Sequence, residues 1–336
     1  MSLLVKVCKT IISVAMAISV VVAPSVMEPA NEEFTLLDAE NCLLNFVAVS
    51  DTHIDYEDES MADYFTSMLS ETLADVQSAE VKPDAFLITG DITNDGDEEQ
   101  WQLFEKVMSG YDPAERILLA VGNHDTWTRE SGDKTFEELF VEYNEKITGK
   151  DVKRIYYSTK VNGYYFIFLA SETDSTAAYF SDKQIKWLKK EMKKAAKTDK
   201  PVFVVSHWPL NQTHGLPVTF GDEEYTDMTG GMGEQSKKVQ KILNKYENVF
   251  LLSGHIHSGF SNASMEEKNT YQSVEQYGNI VSVNLPSLVT PMPQNGYFMV
   301  GTGYAVEVYK DKVVFRARNF AADYWLPGYD YTVRLK

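Results

Sequence analysis

The chain predicts an α/β fold built on two β-sheets, and three features carry that prediction. Short runs rich in Val, Ile, Leu and Phe alternate with amphipathic stretches between residues 43 and 253, the mark of strands joined by helices. Each of these runs stops at a residue able to hold a metal ion. From residue 269 onward strands follow one another without helices, which calls for an antiparallel or mixed second sheet packed on the first half. With 336 residues, 44% hydrophobic and 24% charged, the composition is that of a soluble globular chain with ample material for a large core.

The runs are LLNFVAVS (43–50), AFLIT (85–89), RILLAV (116–121), PVFVVS (201–206) and NVFLLS (248–253). MADYFTSMLSETLADVQSA and SDKQIKWLKKEMKKA, between them, have helical patterns. In the second, Ile185, Leu188 and Met192 recur at helical spacing and Ser181 stands as the N-cap. Its many lysines fall on the polar side and read as a solvated face, not a phosphate patch. The late strands are NIVSVNL, GTGYAVEVYK and KVVFRARNF. The Gly-rich segment 211–233 lacks periodicity and is expected to be a functional loop over the site, with His214 at its surface.

Lys6 and Lys9 precede the apolar stretch IISVAMAISVVVA (11–23), and Pro24 and Ser25 follow it. This is the layout of a signal peptide. The stretch is shorter than the ~20 residues that span a bilayer, so the expected organisation is a signal peptide and linker over 1–30 and one domain over 43–335. The protein is then extracytoplasmic or secreted, with no stable membrane insertion once the leader is cleaved near Ser25 or Ala30; an uncleaved anchor is the alternative. Cys8 lies in the leader and only Cys42 remains, which leaves no internal disulfide and makes Cys42 a small core residue. A formal charge of −18 excludes an extended nucleic-acid footprint, because polyanions are held by clustered Lys and Arg. The oligomeric state is left open.

Asp51 and His53 follow the first run, Asp91 the second, Asn123 and His124 the third, His207 the fourth, and His255 and His257 the fifth. Ligands of open α/β sheets bind just beyond the carboxyl ends of the strands, so these five ends are expected to converge. In extended backbone, residues i and i+2 share a face, which would aim His255 and His257 at one place. A single His or Asp at a strand end is commonly a cap or turn former; five of the six histidines at such positions are not explained that way. The donors mix imidazole and oxygen without thiolate, which fits Mn, Fe or Zn in an open catalytic site, and there are too many for one ion. Gly90, Gly122 and Gly254 stand immediately before them, where the backbone must turn sharply.

The ordered set SDTHID, GDITNDG, GNHD, SHWPL and GHIH resembles the calcineurin-like metallophosphoesterase superfamily, near its bacterial phosphodiesterase branch. The resemblance implies a four-layer αββα sandwich of two mixed sheets flanked by helices, with two divalent or mixed-valence ions of Mn, Fe or Zn at the sheet edge. It implies Asp51, His53 and His257 as ligands of one ion, Asn123, His207 and His255 as ligands of the other, and Asp91 as the bridge. His124 would be a phosphate contact or general acid, and Asp125 the carboxylate that orients it. Asn94 stands where purple acid phosphatases carry a metal-binding Tyr, and GNHD replaces the GNHE of protein Ser/Thr phosphatases. The implied function is hydrolysis of a small phosphate ester, with diesters favoured. Monoesters of nucleotides, sugars or phosphoproteins are the alternative, and a non-catalytic binding protein is a third reading. Residues 129–160 and 211–233 would face the substrate.

Overall fold

A computed structural model describes residues 31–56, 59–128, 130–173, 178–220, 226–261, 271–289 and 299–336. The expected leader, its apolar run and both candidate cleavage positions lie outside the described residues. Among the described residues no helix is long and apolar enough to cross a membrane.

In chain order the elements begin with β1 (Leu44–Val49), α1 (Glu59–Gln77), β2 (Ala85–Ile88), α2 (Glu98–Met108) and β3 (Ile117–Leu119). There follow β4 (Glu130–Ser131), β5 (Lys134–Thr135), α3 (Phe136–Thr148), β6 (Tyr157–Val161), β7 (Tyr164–Leu169), α4 (Asp182–Ala195), β8 (Val202–Ser206), α5 (Ser236–Leu243) and β9 (Val249–Ser253). The last third is β10 (Val274–Tyr277), β11 (Ile280–Asn284), β12 (Thr302–Val308), β13 (Lys312–Asn319), β14 (Tyr324–Trp325) and β15 (Tyr331–Arg334).

Apart from the two-stranded β4–β5 pair, these strands form two mixed sheets, ordered β14-β13-β12-β1-β2-β3 and β10-β11-β9-β8-β7-β6, with β15 also on β13. Strand alternation explains why the two sheets stack. In β1, Leu44, Phe46 and Ala48 face Phe166, Phe203 and Phe250 of the opposing sheet, whereas Val47 and Val49 turn outward to Phe65, Leu69 and Trp101 on the helices. In the second sheet, Val204 and Leu251 likewise turn outward, to Leu188 and Met192 of α4 and Val239 of α5. The central strands β1, β2, β8 and β9 are buried on both faces, so the sequence shows uninterrupted apolar runs there instead of alternation. The result is the expected order of helix, sheet, sheet and helix. The predicted α4 is present with Ser181 capping it by accepting from the Gln184 amide at 3.2 Å.

Four points differ from expectation. The late strands do not make a sheet of their own: β10 and β11 extend the sheet that contains β8 and β9, while β12 and β13 pair with β1. Hydrophobic runs carry no label for the sheet they join, and the chain crosses between the two. β6 and β7 were not among the runs that drew attention, since YYFIFL leads only to Ala170 and Ser171. The residues before β1 are also built in. Phe34 packs on Phe320 and Trp325 at ring distances of 5.9 and 5.3 Å, so the folded unit runs from Glu32 to Lys336. Cys42 is half-buried at the head of β1, not a core residue, and burial pushes its thiol up to about 11.

The helix layer on the first sheet is pinned by a buried ion pair. Arg318 of β13, with no exposure, donates Nε and Nη2 to Asp75 of α1 at 2.7 and 2.6 Å. Removing one partner of such a pair leaves a buried charge uncompensated, at a cost of about 3–5 kcal/mol. Asp75→Ala should therefore lower the urea midpoint sharply, and Asp75→Ala/Arg318→Met should recover part of the loss; equal destabilisation by both would contradict this coupling.

Candidate metal centre

The carboxyl ends of β1, β2 and β3 lie side by side and meet those of β8 and β9 from the other sheet. Backbone hydrogen bonds join neighbouring ends within each sheet. The Asp51 amide donates to the Gly90 carbonyl at 3.1 Å, that of His53 to Asp91 at 3.0 Å and that of Gly254 to His207 at 3.0 Å. Side chains complete the lacing: the His124 amide donates to Asp91 Oδ1 at 2.9 Å, and the His255 amide to the Asp51 carboxylate at 3.3 Å.

Two groups of metal-binding atoms result. Asp51, His53, Asp91 and His257 offer ligand atoms all within 4.8 Å of one another, and so do Asp91, His207 and His255. Asp91 belongs to both. The family resemblance implied the same grouping of these carboxylates and histidines, and it assigns Asn123 to the second group. Asn123 is 5% exposed and its Oδ1 has no hydrogen-bond partner, as is also true of Asp91 Oδ2 and His207 Nε2. The last two face each other at 3.1 Å. In the first group, the Nε2 atoms of His53 and His257 are 3.0 Å apart. Buried lone pairs converging without donors are what a cation satisfies, so the residues present fit a pair of metal ions.

The local backbone is arranged for this purpose. Asp51, His53, Asp91, His255 and His257 all have positive φ, between 44° and 72°. Such left-handed residues cost about 1–3 kcal/mol each and gather at functional sites. His255 and His257 therefore do not present one face of a strand, as their spacing had predicted. β9 ends at Ser253, and the left-handed turns send His257 to the first group and His255 to the second. Close approach also requires glycine at two positions. A Cβ on Gly122 would collide with the Asp91 backbone and carboxylate, and one on Gly254 with Ser50 Oγ and Asp51 Oδ2.

Electrostatics point the same way. Asp51 and Asp91 have no exposed area, and their ion-pair partners among the described residues are histidines only. Burial by itself would raise the Asp51 carboxyl, but His257 and His207 hold it down at about 2. Burial opposes the charged form of His207 as well, yet Asp91 and Asp51 lift it to about 9. His255 is lowered to about 3, first by burial and then by His207. Anions crowded into an apolar edge thus draw whatever positive charge is within reach. The His207 ring is set by Nδ1, which donates to the Thr89 carbonyl at 3.2 Å and leaves Nε2 turned to Asp91.

His124 stands beside the first group, its ring 4.6 Å from that of His53. Its Nδ1 lies 2.6 Å from the Asn94 carbonyl, which fixes the Nδ1–H tautomer and leaves Nε2 available. Asp125 does not orient this ring, contrary to expectation. Its carboxylate turns inward, accepting from the Thr93 amide and hydroxyl and the Gly122 amide at 2.8, 2.9 and 2.8 Å. Burial and then Asp91 raise it to about 7. Asp125 holds the loops that carry Asp91 and Asn123. The orienting group was missed because a backbone carbonyl has no signature in residue identity.

His214 is neither at the surface nor at the metal groups. It is fully buried, with Nδ1 2.6 Å from the Gln272 carbonyl and Nε2 2.9 Å from Ser282 Oγ, and its amide donates to Glu275 at 2.8 Å. It fastens the 211–220 segment to β10 and β11. Residues 221–225 of the expected substrate loop, and Arg129, lie outside the described residues. Most of 130–160 forms α3 and β6.

The family model Calcineurin-like phosphoesterase matches residues 44–259. A probable glycerophosphodiester phosphodiesterase GpdQ of Arcobacter nitrofigilis is 27% identical over 63% of this chain and 71% of its own length. A probable cyclic nucleotide phosphodiesterase of Rhodococcus erythropolis is 26% identical over 63% of this chain and 64% of its own. Among solved structures, a dimetal phosphatase from Danio rerio superimposes with a TM-score of 0.59 at 12% identity, covering 88% of this chain and all of that one, a likeness of fold. The motif order, the paired ligand groups sharing Asp91, and the family match together place the chain in the calcineurin-like phosphoesterase family, as a metal-dependent hydrolase of phosphate esters.

Proposed function

We propose that the protein is an exported phosphodiesterase whose seven ligand residues hold two ions of Mn, Fe or Zn. The observation that carries the diester reading is the charge around the centre. Asp55 and Asp95 lie one or two residues from His53 and Asn94 and are bridged by the side-chain amides of Asn94 and Gln100 at 3.1–3.3 Å. Asp97 stands next to them and accepts from Tyr56 at 3.1 Å. A monoester brings about two negative charges near neutrality and a diester one. An acidic rim penalises the first more than the second. The two curated relatives of Arcobacter nitrofigilis and Rhodococcus erythropolis, both named as phosphodiesterases, support the same choice. Export rests on Lys6, Lys9 and the apolar run that follows.

Held by these residues, a pair of ions would clamp phosphoryl oxygens and acidify a water for attack on phosphorus. The chain's part is to place and to protonate. Asp91 sets the spacing of the two ligand groups by belonging to both. His124, held through Nδ1 by the Asn94 carbonyl, keeps Nε2 available and in its protonated form delivers a proton to the departing alkoxide. Asp125 keeps the loops of Asp91 and Asn123 in register.

Two measurements test this. After chelation and separate reconstitution with Mn, Fe and Zn, bis(p-nitrophenyl) phosphate should turn over faster than p-nitrophenyl phosphate, and Asp91→Asn should abolish both activities. A strong monoester preference would make the protein a phosphatase. His124→Ala should lower kcat by roughly 10²–10⁴-fold for an alkyl diester, whose alkoxide needs a proton, and far less for the p-nitrophenyl diester, whose phenolate leaves unaided. Equal losses on both substrates would remove His124 as the acid.

A further inference from the structure

A second polar cavity of about 560 Å³ opens where the exposed edges of the two sheets meet, and none of the candidate metal-centre residues lines it. β3 and β6 are the terminal strands of their sheets. The cavity uses Arg116 to Leu118 at the start of β3, whereas Asn123 follows that strand's other end. The Arg116 guanidinium reaches across to the Lys160 carbonyl of β6 at 3.3 Å.

The walls are cationic in a chain of net charge −18. Arg116, Lys150, Lys153, Arg154 and Lys183 line them, against one carboxylate, Asp151, which is paired with Lys153. Among the described residues the other four have no ion-pair partner, although the sequence holds 49 Asp and Glu. Arg154 is preorganised. Its guanidinium lies 4.3 Å from the Tyr156 ring and 5.4 Å from that of Trp187, and Nε donates to the Tyr156 carbonyl at 3.1 Å. Nη1 donates to the Tyr156 hydroxyl at 3.5 Å, and a guanidinium seated over aromatic rings keeps its remaining N–H groups for a phosphate or carboxylate.

An independent observation comes from Asn144, at the cavity's inner wall. It is 1% exposed, and its Nδ2 donates to the Lys150 carbonyl at 3.1 Å. That bond fixes the amide's orientation, and Oδ1 is left buried without a donor. A buried acceptor of this kind is normally satisfied. It calls for a hydroxyl.

We infer that this cavity is a second anion site, built for a small phosphorylated polyol. Arg154, Lys150, Lys183 and Arg116 take its phosphate, and Asn144 accepts from one of its hydroxyls. The lysines of α4 facing water elsewhere remain a solvated surface; Lys183 differs in sharing a cavity with Arg154 and Asn144.

The test is equilibrium dialysis of radiolabelled glycerol 3-phosphate against full-length Asp91→Asn protein, which removes the shared ligand of the metal centre as a competing phosphate holder. Saturable binding of one equivalent is expected. Adding Lys150→Glu/Lys183→Glu, both on exposed side chains, should weaken it by about tenfold or more, with an unchanged circular dichroism spectrum. Inorganic phosphate should bind more weakly than glycerol 3-phosphate, and Asn144→Leu should erase that difference. Absence of saturable binding, or binding indifferent to the charge reversal, overturns the site. Equal affinity for phosphate and its glycerol ester overturns the polyol assignment. Since hydrolysis is not the readout, failure here is separate from failure of the phosphodiesterase reading.

Discussion

Two carboxylates without solvent and, among the described residues, without a lysine or arginine partner set the terms for the rest of this molecule. Asp51 and Asp91 are both fully buried, and imidazoles are their ion-pair partners among the described residues. A buried anion costs several kcal/mol unless its charge is met. A domain of this size is stable by only ~5–15 kcal/mol, so two such anions are tolerable only where cations are expected to arrive. The histidines alone serve poorly. They repel one another once charged, and burial drives His255 down to about 3. Divalent ions meet the demand more completely, and this is why Asn123 Oδ1, Asp91 Oδ2 and His207 Nε2 can be left without hydrogen-bond partners.

The architecture follows from supplying donors at one point from two sheets. Stacking the sheets through Phe46, Phe166 and Phe203, with ring distances of 5.0–5.3 Å, aligns the ends of β1, β2 and β3 with those of β8 and β9. Each strand end then has only a few residues in which to turn its donor toward the centre. Regular backbone cannot do this, and five of the donors adopt left-handed conformations instead. The layer of helices above β1 and β2, tied by Arg318 to Asp75, and the polar lacing through Asp125 make the strained turns affordable. Rigid placement matters because the spacing of the two ligand groups is set by a single shared side chain.

The site was largely legible in the sequence because burial writes itself as apolar runs, and their abrupt ends expose the functional residues. Asp51, Asp91 and His207 announce themselves in that way. Sheet membership was not legible: β8 and β9 look like β1 and β2, and pairing is decided by contacts far apart in sequence. Nor was the direction of a side chain beyond a strand end, as His255 and His257 show. Local identity misled at Asp125, where a carboxylate next to a histidine suggested a partner, while tertiary packing gave its oxygens to Thr93 and Gly122. His214 carried the opposite error. A polar residue in a Gly-rich segment reads as surface, and three hydrogen bonds from the far side of the second sheet make it core.

Charge is distributed with the same logic. At physiological ionic strength the field of an exposed charge decays within about 8 Å, so the overall charge of −18 does not act on a substrate as a sum. What an arriving ester meets is local. At the centre it meets the cations that Asp51 and Asp91 require, and around them the half-buried Asp55, Asp95 and Asp97. The attraction is concentrated at one phosphoryl group, and the surrounding carboxylates act on whatever further charge the ester carries. On the phosphodiesterase reading proposed above, the acidic rim acts in discrimination, because its repulsion grows with the charge the ester carries.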